Sequence, residues 1–176
     1  MVVVPDPVAD PSGYQRALLS YLGDDDPAEV QAGTPALLRK LVGDAGGDLR
    51  ARPGEQQWSV LECIGHIVGA EIVYSGRYRW IVAHDDPPLI GYDQDLWVSN
   101  LRANDDDPDV VLDVFESLRR ANLAMWQRST KEERDRDGMH SERGPESYEL
   151  SFRLIAGHDR LHYEQAVQTL ERVRAG

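Results

Sequence analysis

The sequence predicts an all-α protein: a four-helix bundle with a short extra N-terminal helix and a long loop between its second and third bundle helices. Three observations carry that reading. Apolar residues recur at spacings of three and four along most of the chain, helix starts are marked by capping residues or first-turn prolines, and no stretch alternates polar with apolar as a half-buried strand does.

The first short element carries Tyr14, Leu18, Leu19, Tyr21 and Leu22, and Gly23 with Asp24-Asp25-Asp26-Pro27 breaks it. Thr34 reads as an N-cap with Pro35 at the first helical position; Leu37, Leu38, Leu41 and Val42 form one face before a stop at Gly43. Gly46-Gly47 and Pro53-Gly54 mark the following loop. Ser59 and Glu62 have capping-box spacing, and Val60, Ile64, Ile67, Val68 and Ile72 stripe a long helix that reaches about Ala83 before Pro87-Pro88 ends it. A loop of roughly twenty residues then includes Gly91-Tyr92-Asp93-Gln94-Asp95-Leu96-Trp97, aromatic enough that something is expected to cover it. Asp107-Pro108 opens the third bundle helix, with Val111, Val114, Phe115, Leu118, Met125 and Trp126 as its buried stripe and an end near Ser129. Lys131 to Gly144 reads as a charged loop, and the last helix runs from Pro145 or Glu146 to Val173.

At 176 residues the chain is expected to form a single domain spanning 1–176 with a core that needs no disulfides. Its 41% hydrophobic and 28% charged residues argue against a disordered chain, a collagen-like fibre and a membrane protein. The 19 Lys and Arg against 31 Asp and Glu leave a net charge of −12, so neither nucleic acid nor an anionic membrane is an expected partner. Cys63 is the one cysteine, and Met1-Val2-Val3-Val4-Pro5 lacks the basic and apolar regions of a signal peptide; a cytoplasmic location is expected.

Chemistry concentrates in Ala156-Gly157-His158-Asp159-Arg160-Leu161-His162-Tyr163-Glu164-Gln165. On a helix His158 and His162 lie about 40° apart, on the core-facing side, where an i, i+4 pair can present two ring nitrogens to one ion. The same spacing also suits two hydrogen-bonded structural histidines. His66 lies within the helix after Trp58, beside Gly65 and Gly69, whose cost of about 1 kcal/mol each relative to alanine suggests a close neighbour or a cavity along that wall. It reads equally as a third ligand or as a polar residue of the groove rim. His84, about 27 Å further along the same helix, is too distant to join them. His140 is expected to face solvent, with a loop histidine folding over the site as the alternative; Cys63 is expected to be a small core residue rather than a soft ligand, and the Asp24–Asp26 run, Asp107 and Asp109 to be caps and solvated charge.

Taken together, Trp58-Ser59-Val60-Leu61-Glu62-Cys63-Ile64-Gly65-His66, then Glu71 and Arg77, then Tyr92-Asp93-Gln94-Asp95-Leu96-Trp97, and finally His158-Asp159-Arg160-Leu161-His162-Tyr163-Glu164-Gln165, resemble the DinB-like family. That superfamily also contains the bacillithiol-dependent and mycothiol-dependent S-transferases. The resemblance spans nearly the whole chain. It implies a bundle often paired as a homodimer, with a divalent metal held by His66, His158 and His162. Two departures are small: Cys63 replaces a usual apolar residue, and Gly144-Pro145-Glu146-Ser147 stands where glycine then threonine is expected.

Zinc is the expected ion, with nickel, iron and manganese as alternatives, because imidazole ligands and an open position suit it. The resemblance further implies transfer of a low-molecular-weight thiol to a small electrophilic molecule. Glu62 or Asp93 would accept the proton and Arg77 would hold an acidic group of the thiol; Gln165 and Glu62 are placed to orient the rings. A metal-dependent hydrolase using the same site, and a metal-stabilised binding protein without turnover, are the alternatives.

Overall fold

The computed structural model describes residues 5–6 and 9–176; the reading of the segment from Met1 to Val4 lies outside them. Among the described residues, seven α-helices and three short strands follow in the order α1 (Pro11–Leu22), α2 (Pro27–Ala45), α3 (Val60–Ala83), β1 (Pro88–Leu89), α4 (Gln94–Asn100), α5 (Pro108–Arg128), α6 (Lys131–Arg134), β2 (Asp137–His140), β3 (Gly144–Ser147) and α7 (Tyr148–Ala175). The four long helices α2, α3, α5 and α7 form the bundle, and α1 is the extra N-terminal helix, laid against α7. The seat is close: a Cβ on Gly157 of α7 would lie 1.9 Å from the Leu18 carbonyl oxygen, so only glycine allows α1 to approach there. No helix among the described residues is long and apolar enough to cross a membrane.

Local chemistry explains the helix starts. Asp26 caps α2, with Pro27 at N1; Asp107 caps α5, with Pro108 at N1; Ser59 and Glu62 form the capping box of α3. Ser147 caps α7 by accepting from the Leu150 N–H at 3.0 Å, a task that serine performs as well as threonine. The expected start at Thr34-Pro35 is corrected: α2 begins eight residues earlier and runs through Pro35. Proline removes the N–H that would bond the Gln31 carbonyl, and the Arg119 Nη1 fills that vacancy at 3.1 Å.

Further corrections concern faces and loops. Ile72 and Val114, expected in the core, are 48% and 43% exposed, while α5 instead buries Leu112, Arg119 and Asn122. The connection after α3 is not bare loop, since α4 lies within it, and Lys131–Gly144 contains α6, β2 and the turn into β3. These strands form a small sheet of order β1-β2-β3, with β1 parallel to β2 (Leu89↔His140) and β2 antiparallel to β3 (Met139↔Pro145). Strands of two to four residues are too short for an alternating pattern to stand out.

The interior is layered. One apolar cluster contains Leu38, Leu61, Ile64, Phe115 and Leu170; the other contains Tyr78, Trp126, Tyr148 and Phe152, with the Trp126 and Phe152 rings stacked at 4.0 Å. Between them along α3, α5 and α7 lies a buried polar layer. Arg119 donates to Asp159 at 2.6 Å and to Glu71 at 2.9 Å, Asn122 donates to Glu71 at 2.8 Å, and Thr34 donates to Asp159 at 2.8 Å.

Candidate metal centre

His66 comes from the N-terminal third of α3, and His158 and His162 from successive turns of α7, the helix packed along it. All three are buried. Their Nε2 atoms point at one another: His66 to His162 at 3.2 Å and His158 to His66 at 2.9 Å, all within 4.8 Å. Trp58 packs against the His66 ring at 5.2 Å. Gly65 and Gly69 accommodate close neighbours, as expected: added Cβ atoms would lie 3.0 Å from Ala103 and 3.4 Å from Trp97.

This donor set fits a divalent cation. Burial pushes His66 and His158 well below the ordinary histidine value, helped by the neighbouring imidazoles, and lowers His162 to about 4 against the opposing hydrogen bond with Gln165. The rings are therefore neutral at pH 7. The His162 Nδ1 donates to the Gln165 Oε1 at 2.7 Å, which fixes the tautomer and leaves the Nε2 lone pair facing the other two rings. Three converging imidazole nitrogens cannot all satisfy one another by hydrogen bonds, whereas one cation satisfies all three. Zinc–nitrogen bonds of about 2.0–2.1 Å at tetrahedral angles put ligand nitrogens about 3.3 Å apart, close to the separations given above. The His158 Nδ1 is buried and has no hydrogen-bond partner among the described residues.

Two cavities meet at His66. A polar cleft of about 330 Å³ is lined by His66, His158, Tyr74, Arg77, Tyr92 and His140, among others. An apolar cleft of about 220 Å³ shares His66 and Tyr92 and is otherwise walled by Val68, Trp97, Val98 and Val111. A third opening, lined by Trp58, Gln94, Asp95 and Gln165, reaches His162 from another direction.

The remaining sequence candidates divide. Arg77 and Asp93 line the polar cleft, and Asp93 also caps α4 by accepting from the Leu96 N–H at 2.9 Å. Glu62 does not line it. Its carboxylate accepts from the Ser59 N–H at 2.8 Å and the Arg52 Nε at 2.9 Å; burial would raise its pKa, but these partners outweigh that and hold it below the usual range. Glu62 is thus a cap rather than an orienter of His66. His84 is exposed at the end of α3. Cys63 is a buried thiol, pushed up to about 12 chiefly by burial, and so inert.

His140 corrects the expectation of a solvent-facing loop residue. It is 2% exposed on β2, lines the polar cleft, and is lowered to about 4 by burial and then by Arg143 and Arg77. No sequence signal marked it: in the fold Gly138 and His140 face inward while Asp137 and Met139 face outward, so the one apolar side chain of β2 is on the solvent side and the strand shows no apolar alternation. The buried set Glu71, Arg119 and Asp159 gave no signal in helical spacing, which marks apolar faces and not ion pairs.

The sequence profile described as the DinB superfamily matches residues 29–166. Among solved structures the chain is similar to YfiT from Bacillus subtilis, described as a probable metal-dependent hydrolase with an unusual four-helix bundle topology. The identity is 19%, the match covers 83% of this chain and 85% of that one, and the TM-score is 0.75. At that identity the likeness shows the fold. The comparison with curated proteins finds no match.

Proposed function

The chain belongs to the DinB superfamily, and from that premise we propose that it is a metal-dependent transferase that moves a low-molecular-weight thiol onto a small electrophilic molecule. His66, His158 and His162 would hold the ion. A divalent cation there supplies Lewis acidity, bringing the pKa of a coordinating thiol or water towards neutrality.

The carrying observation is that two cavities of opposite character open on His66. Hydrolysis needs room for one organic substrate and water; transfer needs room for two organic molecules. The polar cleft, with Arg77, His140 and the Tyr74 and Tyr92 rings, suits the thiol, and the apolar cleft beside Trp97 and Val98 suits the electrophile. Asp93, exposed at the rim of this cleft, would receive the thiol proton. The sulfur then forms a bond to the electrophilic carbon, and the leaving group departs with the bonding pair. Tyr92 borders both clefts and helps set the approach of the two molecules.

A second reading, hydrolysis at the same site, is favoured by the description of YfiT. One experiment separates the two. Zinc-loaded protein is incubated with a chromogenic alkylating agent with and without added thiol, and with an ester library without thiol. Thiol-dependent turnover absent from His158→Ala supports transfer. Ester cleavage without thiol, and no thiol-dependent product, overturns it in favour of hydrolysis.

A further inference from the structure

We propose that the polar cleft contains a subsite for a carboxylate of the substrate, with Arg77 and His140 as its donors. The subsite rests on the transferase reading only for the identity of the molecule that carries the anion.

Arg77 is 2% exposed and has no carboxylate in ion-pair contact among the described residues. Its contacts among the described residues are neutral: Nη2 donates to the Ile90 carbonyl at 2.7 Å, the guanidinium lies 4.6 Å from the Tyr74 ring centroid, and Nε has no partner there. The buried Arg119 and the partly buried Arg143 differ. Arg119 has Glu71 and Asp159, and Arg143 has Glu146. A buried cation without an anion is costly, and such groups are retained where a ligand completes them.

The second observation is a pair of opposed donors. The Glu142 backbone N–H donates to the His140 Nδ1 at 3.1 Å, so the neutral ring carries its proton on Nε2. That Nε2 faces the Arg77 Nη2 at 3.1 Å. Neither nitrogen can accept from the other; both can donate to one oxyanion placed beside the pair, within reach of each. Glu146 does not supply it, since its carboxylate is taken by Arg143 at 2.6 Å and Ser151 at 2.7 Å. Asp6, Asp93, Asp95 and Glu142 also line the cleft but are exposed, where water screens them.

Arg77 follows His66 by eleven residues of α3, about three turns, so both lie on one face with Cα atoms about 16 Å apart. Helical side chains lean towards the N-terminus, which brings the guanidinium back towards the histidines. The ligand is therefore extended, with its carboxylate several bonds from the reacting sulfur or carbon.

Isothermal titration of zinc-loaded protein with two matched pairs tests this: 8-mercaptooctanoate against 8-mercaptooctanamide, and 8-bromooctanoate against 8-bromooctanamide. A carboxylate binding at least about tenfold more tightly than its amide is expected in one pair. The thiol pair places the anion on the thiol, and the bromide pair places it on the electrophile. In Arg77→Gln, checked for fold by circular dichroism, the ratio should fall to about two or less, and Arg77→Lys should restore part of it. Equal affinities within both pairs on the unaltered protein overturn the subsite, as does a preference that survives in folded Arg77→Gln. A preference without turnover removes the transferase reading and leaves the subsite; turnover without a preference does the reverse.

Discussion

Arg119→Met should be among the most destabilising single substitutions in this chain. The Arg119 side chain is 1% exposed and donates to Asp159, Glu71 and the Gln31 carbonyl that Pro35 leaves without its helical partner. Methionine fills the volume of the stem but leaves two carboxylates, each at most 2% exposed, facing one interior without a cation. Removing one member of a buried ionic cluster costs about 3–5 kcal/mol. With a urea m-value near 2 kcal/mol/M, that lowers the unfolding midpoint by about 2 M. Burial already holds Glu71 above the usual carboxylate range despite Arg119. Without the cation, Glu71 should rise further, binding a proton in the fold that the unfolded chain does not hold. Stability of the variant is then regained relative to wild type as pH falls, so the difference measured at pH 8 should shrink at pH 6. Neutralising the layer in Arg119→Met/Glu71→Gln/Asp159→Asn should recover part of the loss. A loss under about 1 kcal/mol at pH 8, with an unchanged m-value, would refute the view that this layer holds the bundle's mid-section.

Two further outcomes follow from the histidines. His66, His158, His162 and His140 are all lowered by burial, the last two to about 4. They are neutral in both states above the unfolded value near 6.5; as pH falls below it, only the unfolded chain takes up their protons, until the folded values are reached. Metal-free protein should therefore lose stability between pH 6.5 and about 4, by up to about 5 kcal/mol per pH unit with four such groups. Urea midpoints at pH 7.5, 6.5 and 5.5 check this, and an unchanged midpoint across that range would contradict it. For the metal itself, elemental analysis should find about one zinc per wild-type chain, little in His162→Ala, and the wild-type amount in His84→Ala. Equal loss in both variants would mean that other groups hold the ion.

Much of the architecture was legible because its signals are local. Asp107-Pro108 and the Ser59/Glu62 box announced α5 and α3, and the i, i+4 spacing of His158 and His162 put both rings on one face of α7. Reading failed where a local signal had a non-local answer. Thr34-Pro35 has the form of a helix start, yet the helix passes through because Arg119, 88 residues from Gln31, takes the free carbonyl. The spacing of Glu62 points to the histidine one turn away, whereas Arg52 and Ser59 claim its oxygens.

From the residues alone came the helical class, most of the caps and the pairing of two histidines, since capping and helical periodicity act over at most a few residues. Only the folded chain decided that His66 meets that pair across 92 residues of sequence, that Arg119 is matched by two carboxylates, and that Arg77 is matched by none among the described residues. Which polar groups face each other across a core depends on how helices dock, and periodicity along one helix carries no record of what stands opposite it.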